Sequence, residues 1–214
     1  MTKQQEGPYP LKRGDLTGLA AHIYVPSRRG ARHIADGFSR ALLISKKNRH
    51  FGDAFAHDLA GEVAARLPEG VDLLVTPPPG RYSQARQWYF ARELGQAVSS
   101  LSGIPLARPL RWKQGLAGAE DAKATVSHAG KARGLAREAE CLDLLPGQRC
   151  AIIDDGFTTG ITAAQTAAAL EAVGAEVVGV FTLAMTERTE HRPPHERVHL
   201  LRKRRQRAAK GVRQ

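Results

Sequence analysis

Cysteine and aromatic residues are scarce in this 214-residue chain, with two cysteines and 6% Phe, Trp and Tyr together. Cys141 and Cys150 alone cannot build a disulfide scaffold or a four-cysteine zinc module. No apolar run approaches the roughly 18 residues of a membrane-spanning helix. The opening MTKQQEGPYPLKRGD lacks the apolar stretch of a secretory signal. Together these absences predict a cytoplasmic protein without a membrane partner. A Walker lysine motif and a GxGxxG fingerprint are also missing, which argues against nucleoside triphosphate and dinucleotide binding. Alanine, at 33 residues, supplies much of the 42% hydrophobic content, so the expected core is helix-rich and closely spaced. The length suits one α/β domain with an appendage.

The net charge of +11 is unevenly spread. Residues 202–214 (RKRRQRAAKGVRQ) hold seven basic and no acidic side chains, and residues 1–50 hold ten basic and three acidic. Between them, residues 51–201 carry 15 basic and 18 acidic groups, an ordinary balance for a soluble domain. Basic ends attract polyanions, so the tail is a candidate for binding single-stranded DNA. Its plainer alternative is a solubilising extension.

Residues 1–18, with three glycines and two prolines, read as a loose arm. LAAHIYV (19–25) and ARHIA (31–35) flank PSRRG, a plausible hairpin turn. Phe51, Phe55, Leu59, Val63 and Leu67 have helical spacing, with Pro68 and Gly70 as stops. VDLLVT (71–76) is a short strand ended by three prolines. A helix is expected over 84–101, and a Pro-flanked edge strand over 104–110. Residues 113–135 have weak periodicity and read as a long mobile excursion. An apolar strand (149–153), a turn (154–162), a helix (162–173) and a second apolar strand (176–183) follow. That order indicates a parallel βαβ unit and a doubly wound α/β sheet. The expected division is an amino-terminal arm and small cap at 1–50, a core at 51–190 and a basic tail at 191–214.

Ligands in such sheets bind at the carboxyl ends of strands, which is where Asp154-Asp155-Gly156-Phe157-Thr158-Thr159-Gly160-Ile161-Thr162 falls. Two adjacent carboxylates repel unless cations or hydroxyls meet them. Gly156 and Gly160 permit bends that turn N–H groups inward, Thr158, Thr159 and Thr162 add hydroxyls, and the helix start adds its positive end. The turn therefore offers acceptors for sugar hydroxyls beside a cradle for phosphate, and a ribose 5-phosphate fits both. The competing expectation is that Asp154 merely ends the strand and one threonine caps the helix.

CAIIDDGFTTGIT resembles the phosphoribosyl-pyrophosphate signature of type I phosphoribosyltransferases, with departures at Ala151, Gly156 and Phe157. The resemblance implies a parallel-sheet phosphoribosyltransferase-type core. It also implies that Asp154 and Asp155 hold the ribose hydroxyls while residues 156–162, Phe157 and Ile161 included, surround the 5-phosphate. Upstream, TPPPGRYSQARQWYFA resembles the Arg-rich segment of the competence ComF group, with Arg81 and Arg86 matching, and ALLISKKNRHFGDAFAHDLA resembles its lysine segment, with Lys46 or Lys47 equivalent. The group's four-cysteine zinc element is absent. Resemblance covers about residues 38–186.

By this likeness the turn Thr76–Arg81 holds pyrophosphate. Prolines donate no N–H, so Gly80 and Arg81 are the donors there, with Arg81 as counter-charge and catalytic candidate. The 113–135 excursion matches the family's closing loop, with Lys113, Lys123, Lys131 and Arg133 as candidate cations and His128 as a candidate proton donor. The implied cofactor is magnesium, held through the ligand rather than by direct protein ligands. His191, His195 and His199 have helical ligand spacing that Pro193 and Pro194 interrupt, and read as surface residues. Trp88-Tyr89-Phe90 reads as core or homodimer packing, with stacking on bases as the alternative. The expected function is transfer of a phosphoribosyl group to a nitrogenous base, with a purine or pyrimidine salvage enzyme as a narrower version. A non-catalytic, ComF-like nucleic-acid or DNA-uptake accessory protein that binds phosphoribosyl pyrophosphate as a sensor or relic is the alternative.

Overall fold

Runs rich in Val, Ile and Leu suit strands buried on both faces, and the two beginning at Arg149 and Glu176 become neighbouring central strands. The computed structural model describes residues 8–24, 37–79, 88–112 and 139–186. In chain order the elements are β1 (Tyr9–Arg13), β2 (Leu16–Tyr24), α1 (Gly37–Ser45), α2 (Arg49–Ala64), β3 (Leu73–Val75) and α3 (Phe90–Ser102). There follow β4 (Leu106–Ala107), β5 (Leu110–Trp112), β6 (Ala139–Cys141), β7 (Arg149–Phe157), α4 (Ile161–Glu171) and β8 (Glu176–Thr186). Six strands form one sheet in the order β1-β2-β8-β7-β3-β4, and β5 pairs with β6. All neighbours in the large sheet are parallel except β1, which runs antiparallel to β2.

Strand residues alternate between faces, and β7 distributes its side chains accordingly. Ala151 and Ile153 join the core formed with α2 and α3, where Ala60, Val63, Leu94 and Val98 have no exposure. Cys150 and Ile152 face the other way, into the core formed with α4 through Ala163, Ala167 and Leu170. Helices thus cover both faces, as a doubly wound sheet requires. Burying Leu94 or Leu170 contributes about 1.5–3 kcal/mol each. Alanines let the helices lie close, and Gly52 of α2 takes this furthest. A Cβ there would stand 2.6 Å from the Ser45 carbonyl oxygen and 2.7 Å from the Trp88 ring.

Several expectations need correction. Residues 9–18 do not form a loose arm, because Tyr9–Arg13 pairs with Leu16–Ala20 across a turn at Gly14 and Asp15. Leu11, 3% exposed, anchors that hairpin, and the positive φ of 58° at Gly14 suits its turn. The hairpin expected at 26–30 lies outside the described residues. Residues 37–45, assigned no element from the sequence, form α1. Its partner α2 starts earlier than the Phe51 spacing suggested, because the Asn48 side-chain oxygen accepts from the Phe51 N–H at 3.1 Å and caps it. The edge strand was anticipated, and Pro105 and Pro109 confine it to the two residues of β4. Residues 16–24, assigned from sequence to a cap, pair with β8 in the same sheet as the core.

Candidate functional site

β7 runs further than its apolar residues. Asp154 pairs with Thr182, Gly156 with Ala184 and Phe157 with Met185, so the acidic pair belongs to the strand and not to the turn. Continuous pairing with β8 satisfies the backbone and overrides the poor strand propensity of Asp and Gly. Only residues 158–160 bend before α4 begins.

Adjacent strand residues point to opposite faces, and the two carboxylates divide accordingly. Asp154 lines a small cleft with the bend at 156–160 and the first turn of α4. Asp155 meets Lys46, whose Nζ lies 2.7 Å from Asp155 Oδ1 just past the end of α1. Desolvation, then the neighbouring Asp155 charge, push the Asp154 carboxyl up to about 7, against the pull of Lys46 and of two backbone N–H groups. One of those donors is the Asp155 N–H, 2.8 Å from Asp154 Oδ1. Burial opposes the charge on Lys46, but Asp155 and Asp154 outweigh it and raise the Lys46 pKa.

The bend forms a cradle. Gly160 is the N-cap of α4 with φ 69°, and no side chain caps the helix. Thr158, Thr159 and Thr162 are therefore not spent on capping. Thr158 Oγ1 lies 2.8 Å from Thr186 Oγ1, Thr159 and Thr162 are exposed, and Ile161 is half-buried. Gly160 cannot carry a side chain in this arrangement, since a Cβ would stand 2.4 Å from the Phe157 ring and 2.9 Å from Arg13 Cδ. The cleft of about 120 Å³ matches roughly four waters at ~30 Å³ each, room enough for a tetrahedral anion. A second cleft of about 140 Å³ shares Gly156, Phe157 and Thr158 with it and is walled by Tyr24, Leu42 and Lys46.

At the end of β3, Thr76, Pro77 and Pro78 are buried, Thr76 Oγ1 lies 3.1 Å from Tyr89 Oη, and the Pro79 carbonyl accepts from Trp112 Nε1 at 3.1 Å. Gly80, Arg81 and Arg86 lie outside the described residues. So do Lys113, Lys123, His128, Lys131 and Arg133, the three spaced histidines and the basic tail. Trp88 and Phe90 are buried at 7% and 2% exposure, and Trp88 Nε1 donates to Asp53 at 2.9 Å, so these rings serve the core rather than stack on bases. Between Lys46 and Lys47, the structure pairs Lys46 with the acidic strand. Arg13, which donates from Nη1 to the Thr159 carbonyl, was missed. The alternation Tyr9, Leu11, Arg13 was the available signal.

No family model and no curated protein sequence matches the chain. Among solved structures, glutamine phosphoribosylpyrophosphate amidotransferase from B. subtilis aligns at 16% identity and a TM-score of 0.41, over 62% of this chain and 26% of that one. The chain thus spans about a quarter of that enzyme's length. Adenine phosphoribosyltransferase from Thermoanaerobacter pseudethanolicus aligns at 21% identity and a TM-score of 0.40, over 63% and 80% of the two chains. Orotate phosphoribosyltransferase from Aeropyrum pernix aligns at 16% and 0.37, over 76% and 84%.

Proposed function

We propose that the chain binds phosphoribosyl pyrophosphate with magnesium and transfers the phosphoribosyl group to a nitrogenous base. One observation carries this reading: Asp154, at the end of a central parallel strand, opens onto a cradle built from an uncapped helix start and exposed threonines. In it the 5-phosphate accepts from the N–H groups and hydroxyls of residues 156–162, while Asp154, which faces the cleft, accepts from a ribose hydroxyl; Asp155, on the other face, is held by Lys46 and tunes the charge at Asp154. Such holding fixes ribose C1 relative to the incoming base nitrogen. The C1–oxygen bond to diphosphate breaks as the C1–nitrogen bond forms, and diphosphate leaves. Gly80 and Arg81 are assigned to the leaving group.

Among the described residues no group of three His, Cys, Asp or Glu could hold a metal ion alone. Asp154, the one carboxylate of the pair that lines the cleft, fits magnesium that draws its other ligands from phosphate oxygens and water, as this reluctantly dehydrated ion prefers, while Asp155 is engaged by Lys46. When bound, magnesium neutralises charge on the diphosphate. Asp154 would hold it through the ligand's hydroxyls and water.

Calorimetry with phosphoribosyl pyrophosphate and magnesium tests the binding, and pyrophosphate release against a panel of purines and pyrimidines tests the transfer. Replacing both aspartates by asparagine removes a charge-assisted hydrogen bond from Asp154 to the ligand, worth about 1.5–3 kcal/mol, together with the Asp155 partner of Lys46. A folded double variant with unchanged affinity would sink the assignment. Binding without pyrophosphate release from any base would favour a non-catalytic sensor instead.

A further inference from the structure

Among the described residues that line the cradle, none carries a positive charge. From Gly156 to Ala163 the sequence is Gly-Phe-Thr-Thr-Gly-Ile-Thr-Ala, so this stretch offers an anion N–H groups, hydroxyls and a helix end. The nearby Asp154 carboxylate makes a dianion harder to hold. A cation arrives from far away in sequence. β1 alternates, with Pro10 and Lys12 exposed and Leu11 buried against the α4 face with Phe157 and Ala163. Tyr9 packs on the same cluster. Arg13 is next in that row, and its guanidinium donates to the carbonyl of Thr159. Its Cδ lies 2.9 Å from where a Gly160 Cβ would stand. The absent side chain at Gly160 thus makes room for the Phe157 ring and the Arg13 stem together.

A guanidinium carries five N–H donors in a planar fork. One of them serves the carbonyl of Thr159, which lines the cleft, while Arg13 itself is exposed and stands just outside that lining. Resting on the phosphoribosyl reading above, we infer that Arg13 is the cation of the phosphate cradle, contacting the sugar phosphate directly while fixing the Thr159 peptide that helps surround it. The amino-terminal hairpin is then part of the binding site.

The test is calorimetric titration of ribose 5-phosphate, and of phosphoribosyl pyrophosphate with magnesium, into the parent, R13Q, R13K and K12Q. Lys12 has the same charge on the same strand but faces away, and serves as the control. Loss of a charge-assisted bidentate contact should weaken R13Q by about tenfold or more for both ligands. K12Q should stay within about twofold of the parent, and R13K, which keeps the charge without the fork, should fall between. A purely structural role is separated by pH. The second ionisation of a phosphate lies near 6, and the Asp154 carboxyl beside it titrates at about 7, so the comparison is made with Asp154→Asn in both proteins: there the parent should gain affinity for ribose 5-phosphate as the dianion forms, and R13Q should gain less. R13Q binding like the parent, or K12Q weakened equally, overturns the inference while leaving the cradle in place. Equal pH gains in R13Q and the parent overturn the direct contact. A parent that binds neither ligand overturns the phosphoribosyl reading and the inference together.

Discussion

Lys46 Nζ and Asp155 Oδ1 lie 2.7 Å apart, tying the residue just after α1 to the acidic end of β7 across 109 positions of sequence. Without this cation the two neighbouring carboxylates would face each other's charge with hydroxyls and backbone N–H groups alone. Burial and Asp155 raise the Asp154 pKa, and Lys46 is among the groups that hold it down.

That balance can be measured. The ion pair is partly exposed, with side-chain exposures of 37% and 21%, and such pairs contribute about 0–1 kcal/mol. Lys46→Met should lower the melting temperature by no more than about 4 °C. It should raise the Asp154 pKa further, because Lys46 is among the groups holding it down. Carboxyl-carbon NMR titration gives the midpoint, with Lys47→Met as control. An unmoved Asp154 midpoint in Lys46→Met would disconnect the two residues.

Asp154 also makes stability depend on pH. Its carboxyl rises from 3.8 to about 7 on folding, so the folded chain holds the proton more tightly than the unfolded one. The resulting stabilisation is complete below the unfolded value and is lost as pH rises through the folded value. Between pH 5 and 8 the parent should lose stability relative to Asp154→Asn, which keeps an oxygen for the Asp155 N–H and carries no titrating charge. Denaturant unfolding at the two pH values checks this. Parallel changes in both proteins would assign the slope elsewhere.

Gly160→Val should destabilise the fold and weaken phosphate binding. A β-branched residue at φ 69° is strained by about 1–2 kcal/mol, and its Cβ collides with the Phe157 ring. Thr158→Ala removes only the hydroxyl pair with Thr186, about 0.5–1.5 kcal/mol. Thermal melts should therefore rank Gly160→Val well below Thr158→Ala. Equal melting temperatures would mean that nothing packs over Gly160.

Deleting 202–214 should flatten the salt dependence of any single-stranded DNA binding, since each phosphate contact contributes about −0.7 to the slope of log K against log salt. Affinity for phosphoribosyl pyrophosphate should persist, because the cradle is built from residues 154–163. A fluorescence titration on labelled DNA at several salt concentrations, beside calorimetry, reads both. No DNA binding by the full chain at low salt would remove the nucleic-acid role.

The β7–α4–β8 unit was legible because long apolar runs and a Gly174 stop mark it without reference to the rest of the chain. The hairpin β1–β2 was not, because Gly7, Pro8, Pro10 and Gly14 mask a short alternation whose value appears only when Leu11 reaches the second core. Likewise the motif located Asp154 and Asp155, but not their placement within a strand. Local propensity favours a turn there, and pairing to β8 decides otherwise. Lys46 was ambiguous with Lys47 because helix phase, not composition, selects which of two neighbouring lysines faces the acids.

Two tryptophans are present, and they end in opposite surroundings. Trp88 is enclosed beside Gly52 and Asp53, whereas Trp112 is half-buried and its indole N–H donates to the Pro79 carbonyl, at the end of the proline turn. The protein accordingly contains an optical gauge for the proline turn that follows β3. In a Trp88→Phe background, emission comes from Trp112 alone. Breaking its hydrogen bond, as a ligand that pulls on the proline turn would do, shifts that emission without any attached dye.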